Sequence, residues 1–313
     1  MSFSFETKNE LCKLPIQRLC CARAEAYGIL LYCNTFSSTE VRIITENPNF
    51  AARLSRLFRR AFGIQFDRQP ESGQSGKLIF QITERDKLDH ITNTLGYDPR
   101  QNPVLHINFA LLEENCCRAS FLRGCFFAGG SVTDPVKRYH LELTTSHLQV
   151  SRELEALLRE CGYPPKSLAR NGSFITYFKQ SDQIEDFFTM TGAPVAAMNI
   201  MSTKLEKDLR NSVNRRLNCD TANLDKSVGA AQEQLEAIRR LEDAGVLEGL
   251  PEKLRQTAAL RRENPELSLS ELAEVFTPSV TKSCLNHRLR KLLTLARELP
   301  GPSGQENKTE GEG

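Results

Sequence analysis

The sequence predicts an α+β chain in two parts: a duplicated half-domain with helices over one face of antiparallel strands, then an all-α helix-turn-helix unit. Three observations carry this expectation. A cysteine-rich apolar stretch occurs twice, CCARAEAYGILLYCNT from Cys20 and CCRASFLRGCFFAGGS from Cys116, and subtracting 20 from 116 gives an offset of 96 residues. The same offset relates Gly28 to Gly124, Asp86 to Asp182 and Gly96 to Gly192, and it brings LIFQIT opposite FITYFK of the SFITYFK stretch. That period is too long for a solenoid and indicates two copies of a half-domain. Beyond Leu250 the pattern changes to a helix, a short turn and a basic helix.

Each element follows from local chemistry. In the first repeat a helix over Gln17 to Cys33 leads to a strand over Val41 to Thr45. A second helix, Phe50 to Phe62, carries Leu54, Leu57, Phe58 and Ala61 at helical spacing and ends at Gly63. A polar loop from Arg68 to Lys77 precedes a strand over Leu78 to Thr83, and Asp86 opens a helix that stops before Gly96. The second repeat has the same order: YHLELTT, SRELEALLREC with Gly162, SFITYFK and DQIEDFFTMTG. Ala24 and Gly28, like Ser120 and Gly124, lie four residues apart on one helix face, which predicts close backbone packing between the repeats.

With 313 residues the chain can bury two cores, and 40% hydrophobic with 26% charged residues describes an ordinary soluble protein. No run of about 18 apolar residues and no basic-then-apolar start is present, so neither a membrane span nor a secretory signal is expected. The ten cysteines include no C-x-x-C and sit in apolar helical patterns, which suits a reducing cytoplasm. The adjacent pairs Cys20-Cys21 and Cys116-Cys117 are expected to be buried as small hydrophobes rather than to form a redox or metal device. The five histidines show no zinc-ligand spacing, and the net charge of +2 says nothing until charge is read locally.

The expected domains are a duplicated domain over residues 1–203, with repeats of about 15–98 and 111–198, and a basic, Asn-rich connector over 204–228. A helix-turn-helix domain over 229–298 and a disordered tail over 299–313 complete the chain. In the connector, Arg210, Arg215 and Arg216 stand either as phosphate contacts or as one solvated face. The helix from Ala230 to Leu241 has Leu235, Ile238 and Leu241 on one side and begins the second core.

Pro251 suits the first turn of a helix through Leu254, Ala258 and Leu260 that ends at Asn264-Pro265. Ser268 and Glu271 form a capping box before Leu269, Leu272, Ala273 and Phe276. A turn containing Pro278 follows, then a helix capped by Thr281 with Leu285, Leu289, Leu292, Leu293 and Ala296 on its buried face. Its other face offers Lys282, Ser283, Asn286, His287, Arg288, Arg290 and Lys291, and no Asp or Glu occurs between Thr277 and Arg297. Together with Thr281 these are the candidate DNA-binding residues: cations reach phosphates, while Ser, Asn, His or Arg can read base edges in the major groove.

Ala26 to Asn34, AYGILLYCN, and Leu122 to Gly130, LRGCFFAGG, resemble two degenerate LAGLIDADG helices of the homing endonucleases. The resemblance implies an αββαββα-type duplicated domain whose two helices form the seam, with a metal-holding acid near each helix end. Aligned glycine on glycine, the acidic position falls on Cys33 in one copy and Gly129 in the other. Neither supplies the oxygen that a hard cation needs on each side of a scissile phosphodiester. The next acids are Glu40 and Asp134. The expectation is therefore no catalytic residue, no metal and no cofactor, with a metal-dependent endonuclease using other acids as the enzyme-class alternative.

Through FLRGCFFAGGSVTDP, RNSVNRRLNCDTANLDK and SVTKSCLNHRLRKL the chain is similar to the WhiA family of bacterial regulators along essentially its whole length. This similarity implies a degenerate homing-endonuclease domain followed by a helix-turn-helix domain like sigma region 4. It implies sequence-specific transcriptional control linked to sporulation, cell division or chromosome segregation. Double-stranded promoter DNA is the implied partner, with another transcription regulator or RNA polymerase as a protein partner, in a cytoplasmic, nucleoid-associated setting. A third reading makes the duplicated domain a platform for a protein or small ligand, anchored to DNA by the terminal domain.

Overall fold

The computed structural model of the chain describes residues 2–71, 73–74, 76–97 and 104–299. It divides into two compact units, Met1–Leu209 and Arg210–Gly313. The α+β expectation holds, since the strands all belong to the first unit and the second is helical among the described residues.

The first unit opens with a helix the sequence pattern did not reveal, α1 (Phe3–Cys12), capped by Ser2. The first repeat then runs α2 (Leu19–Tyr32), β1 (Thr35–Phe36), β2 (Val41–Thr45), α3 (Pro48–Phe62), β3 (Leu78–Ile82) and α4 (Arg85–Thr94). Asp86 lies in the first turn of α4, while Glu84 occupies the cap position. The second repeat runs α5 (Asn115–Gly129), β4 (Gly130–Val132), β5 (Leu141–Thr145), α6 (Leu148–Glu160), β6 (Lys166–Arg170), β7 (Ser173–Phe178) and α7 (Ser181–Thr191).

Both sheets are antiparallel, with strand orders β1-β2-β3 and β4-β5-β7-β6. In β2–β3 the register pairs Val41 with Ile82 and Ile43 with Phe80, so one face carries a continuous apolar row under α3. Strand β6 breaks the symmetry: its side chains are all exposed, and the corresponding stretch of the first repeat contributes only a bridge between Arg68 and Gln81 among the described residues.

The repeats join along α2 and α5. A Cβ on Gly28 would stand 2.2 Å from the Phe121 carbonyl oxygen, and one on Gly124 would stand 2.1 Å from that of Glu25. Only glycine allows this approach. Ala24 and Ser120 are also buried on these helices. Because each helix is covered by its twin and by the strands, Leu30, Phe121, Leu122 and Phe126 are all fully buried and no amphipathic stripe remains. Each such side chain contributes about 1.5–3 kcal/mol by leaving water.

A charged group lies inside this seam. Glu25 accepts from Arg53 Nε at 2.6 Å and Nη2 at 2.9 Å and from Arg123 Nε at 2.8 Å, while Arg53 is 1% exposed. Arg53 also donates to the Leu14 carbonyl at 2.5 Å, and Arg123 to the Thr191 carbonyl at 2.9 Å. The carboxylate is thus paired and the guanidiniums satisfied, as burial of charge requires. Position 25 plus the offset of 96 is Phe121, so this bridge has no twin in the second repeat.

After Gly192 a single helix, α8 (Pro194–Asp243), takes in both the connector stretch and the helix expected from Ala230. Pro194 sits in the first turn, where a missing amide costs nothing, and no further proline interrupts the helix. Glu10 of α1 caps it by accepting from the amides of Val195 at 2.7 Å and Ala196 at 3.0 Å. Asparagine and one internal glycine weaken helix propensity without ending a helix, which is why the compositional change at Lys204 is not a structural break.

In the second unit, α9 (Glu252–Glu263), α10 (Leu269–Val275) and α11 (Lys282–Glu298) enclose a core with the end of α8. Ile238, Leu241, Leu254, Leu272, Leu285, Leu289 and Leu292 form its centre. The tail expected over 299–313 lies outside the described residues from 300 onward.

Candidate nucleic-acid interface

Helix α10 starts where the capping box requires. Ser268 N donates to Glu271 Oε2 at 2.8 Å, and Glu271 N donates to Ser268 Oγ at 3.3 Å. These bonds with Ser268 hold the Glu271 carboxyl below its ordinary value. The turn contains a cis Thr277-Pro278 bond, and Val280 N donates to the Ala273 carbonyl at 3.1 Å. Thr281 then caps α11 by accepting from Cys284 N at 3.2 Å.

The inward positions of α11 are Leu285, Leu289, Leu292 and Ala296, spaced by four, three and four residues. That spacing alone turns the remaining face outward. Lys282, Ser283, His287, Arg290 and Lys291 are exposed, Asn286 is half-buried, and Thr281 is exposed at the cap. Among the described residues no ion pair ties down Lys282, Arg290 or Lys291. Arg288 is placed differently: it is half-buried, with its guanidinium carbon 5.6 Å from the centre of the Phe276 ring. It braces the turn from α11 by a cation–π contact. Leu293 is half-buried and packed against the same core.

A residue the pattern did not single out holds this unit together. Arg261 is 1% exposed, donates from Nε to Gln234 Oε1 at 3.0 Å and from Nη1 to the Leu267 carbonyl at 2.6 Å. It links α8, α9 and the loop that delivers Ser268 to its cap. Its signal was position: Leu254, Ala258 and Arg261 share one helical stripe, so an arginine occupies an inward place. Arg210, Arg215 and Arg216 lie on the exposed middle of α8.

The seam ends of the first unit have a different chemistry. Cys33 caps α2, and its thiol lies 3.1 Å from the Thr35 carbonyl and 3.2 Å from that of Leu30. Burial pushes that thiol up to about 12. Gly129 closes α5, where a Cβ would meet the Thr144 carbonyl oxygen at 2.4 Å and Tyr32 Cδ1 at 2.7 Å, leaving no room for a carboxylate. Glu40 is engaged by Gln81 Nε2 at 2.8 Å, and Asp134 accepts from Val136 N at 2.9 Å.

The family model of the WhiA C-terminal HTH domain matches residues 213–296, and that of the WhiA LAGLIDADG-like domain matches residues 118–210. The "Probable cell division protein WhiA" of Ruminiclostridium cellulolyticum is 37% identical over 311 residues, covering 96% of this chain and 98% of that protein. The chain belongs to the WhiA family. The protein of the same description from Alkaliphilus metalliredigens is 33% identical over 316 residues, covering 97% of this chain and all of its own. The crystal structure of full-length WhiA from Thermotoga maritima shares the fold at a TM-score of 0.59 and 22% identity, covering 96% of this chain and 100% of that one. Family membership agrees with the two-part reading: a LAGLIDADG-like domain built from α5 onward in its matched copy, then the helix-turn-helix domain of α10 and α11. Among the described residues no helix is long and apolar enough to cross a membrane.

Proposed function

We propose that the chain is a noncatalytic, sequence-specific DNA-binding regulator that places α11 in the major groove of promoter DNA. The outer face of α11 carries this reading: Lys282, Ser283, His287, Arg290 and Lys291 are exposed donors on one helix surface, with no acid from Thr277 to Arg297. Lys282, Arg290 and Lys291 serve phosphates, while Ser283, Asn286 and His287 face bases. Arg288 acts by holding the turn against Phe276. Arg210, Arg215 and Arg216 on α8 add phosphate contacts.

The duplicated unit acts as a positioning or partner-binding platform, open to another transcription regulator or RNA polymerase. Its lack of catalysis is supported by Cys33 and Gly129, neither of which offers a metal an oxygen. The relatives' description as probable cell division proteins supports cell division as the regulated process; sporulation and chromosome segregation, and a cytoplasmic, nucleoid-associated setting, complete the proposal.

Fluorescence anisotropy with promoter fragments recovered by chromatin immunoprecipitation tests this. Replacing Lys282 and Arg290 with alanine should weaken binding and flatten the dependence of log K on log salt by about one unit per lost phosphate contact. Unchanged affinity at every salt concentration would refute the assignment of α11. Arg288→Ala should lower the melting temperature as well, whereas Lys282→Ala and Arg290→Ala should not.

A further inference from the structure

The adjacent cysteines that open each repeat are not packed away as small hydrophobes. Cys20 is exposed, Cys21 and Cys116 are half-buried, and only Cys117 is buried. Residues 96 positions apart meet at one point, since all four sulfurs lie within 4.8 Å of one another. Within each pair the Sγ atoms are 4.0 Å apart.

We propose that Cys20, Cys21, Cys116 and Cys117 form a tetrathiolate site for a single zinc(II) ion, two ligands from each repeat, at the amino-terminal end of the seam. A tetrahedral ion with Zn–S bonds of about 2.3 Å sets its sulfurs about 3.8 Å apart, so closure asks for shifts of at most about 1 Å. The donor set is wholly soft, which disfavours magnesium and calcium and favours zinc. An iron–sulfur cluster inserts several metal atoms between its thiolates and needs a wider spread than these sulfurs have.

The surroundings suit thiolates. Cys20 and Cys21 are the second and third residues of α2, and Cys116 and Cys117 hold the same places in α5. Two helix amino termini, with unpaired amides and positive dipole ends, therefore converge on the sulfurs. Arg18 places Nη1 3.6 Å from Cys116 Sγ, offsetting part of the net charge of −2 that four thiolates leave on a divalent ion. Binding releases the four thiol protons to solvent and forms four Zn–S bonds, with no change of oxidation state.

This site is distinct from the nuclease-like positions. Cys33 and Gly129 lie at the carboxyl ends of the same two helices, about 20 Å away along the helix axis. The ion would staple together the two halves that the glycine contact brings close. The usual spacing signals of zinc sites could not reveal it, because no C-x-x-C occurs and each half carries only two ligands.

The full-length reduced chain, equilibrated with micromolar zinc and desalted, should retain about one zinc per chain by plasma mass spectrometry. Cobalt(II) should give the intense thiolate-to-metal absorption of a tetrahedral site. Alkylation read by mass spectrometry should show Cys20, Cys21, Cys116 and Cys117 protected by zinc while exposed Cys219 and Cys284 react at an unchanged rate. Cys20→Ser with Cys116→Ser should lower zinc affinity at least tenfold, and Cys219→Ser should leave it unchanged. The proposal is overturned if the reduced wild-type chain retains no zinc and its four thiols alkylate equally with and without the metal. A disulfide within the cluster as the stable form in the presence of zinc, or full zinc retention by the double variant, would overturn it too.

Discussion

Cys33 shows how burial makes one side chain a reporter of pH. Its thiol titrates near 9 in the unfolded chain and is pushed up to about 12 in the fold by desolvation. A raised folded value means the contribution is complete below pH 9 and is lost as pH rises toward 12, since only the unfolded thiol ionises in that window. Stability should therefore fall above pH 9, and Cys33→Ala should remove up to about 1.4 kcal/mol per pH unit of that slope. Urea titrations at pH 8, 9.5 and 10.5 check this, and an unaltered slope in the variant would count against it. Cys33 was legible as a missing metal ligand but not as a half-buried residue with a desolvated thiol. Arg53, Glu25 and Arg261 were harder still, because a charged residue looks like surface until the partners that satisfy it are placed around it.

At the scale of elements, the seam helices and the terminal helix pair were plain in the sequence for different reasons. The capping box at Ser268 and the cap at Thr281 act within three residues, so spacing alone locates them. Gly28 and Gly124 were marked by recurrence, and the structure supplies the cause in the carbonyl oxygens of Phe121 and Glu25. Gly124→Ala should cost about 3 kcal/mol or more by overpacking the seam. Gly229→Ala on α8, where a Cβ meets nothing within 4 Å, should instead gain about 0.5–1 kcal/mol. Thermal melts of both variants distinguish a packed glycine from a merely tolerated one. Helix α1 and strand β6 escaped detection, since α1 has little amphipathic contrast and β6 has no buried face.

The whole molecule is two cores with one helix entering both, α8. A fragment from Arg210 to Leu299 contains the complete second core, including Gln234 for Arg261, and should unfold cooperatively by itself. A gradual, non-cooperative melt of that fragment would show that its core is incomplete. The sequence by itself determined the duplication, the order of the strands and helices other than α1 and β6, the absence of paired carboxylates at Cys33 and Gly129, and the donor-rich face of α11. All of these rest on periodicity, capping and residue chemistry, which act over a few neighbours. Only the tertiary structure decided that the connector stretch is one helix, that Arg288 leans on Phe276, that Glu25 is buried between two arginines, and that four cysteines share one point. The last two depend on how far apart in space two distant segments come to rest, and the close glycine packing of α2 against α5 sets that distance.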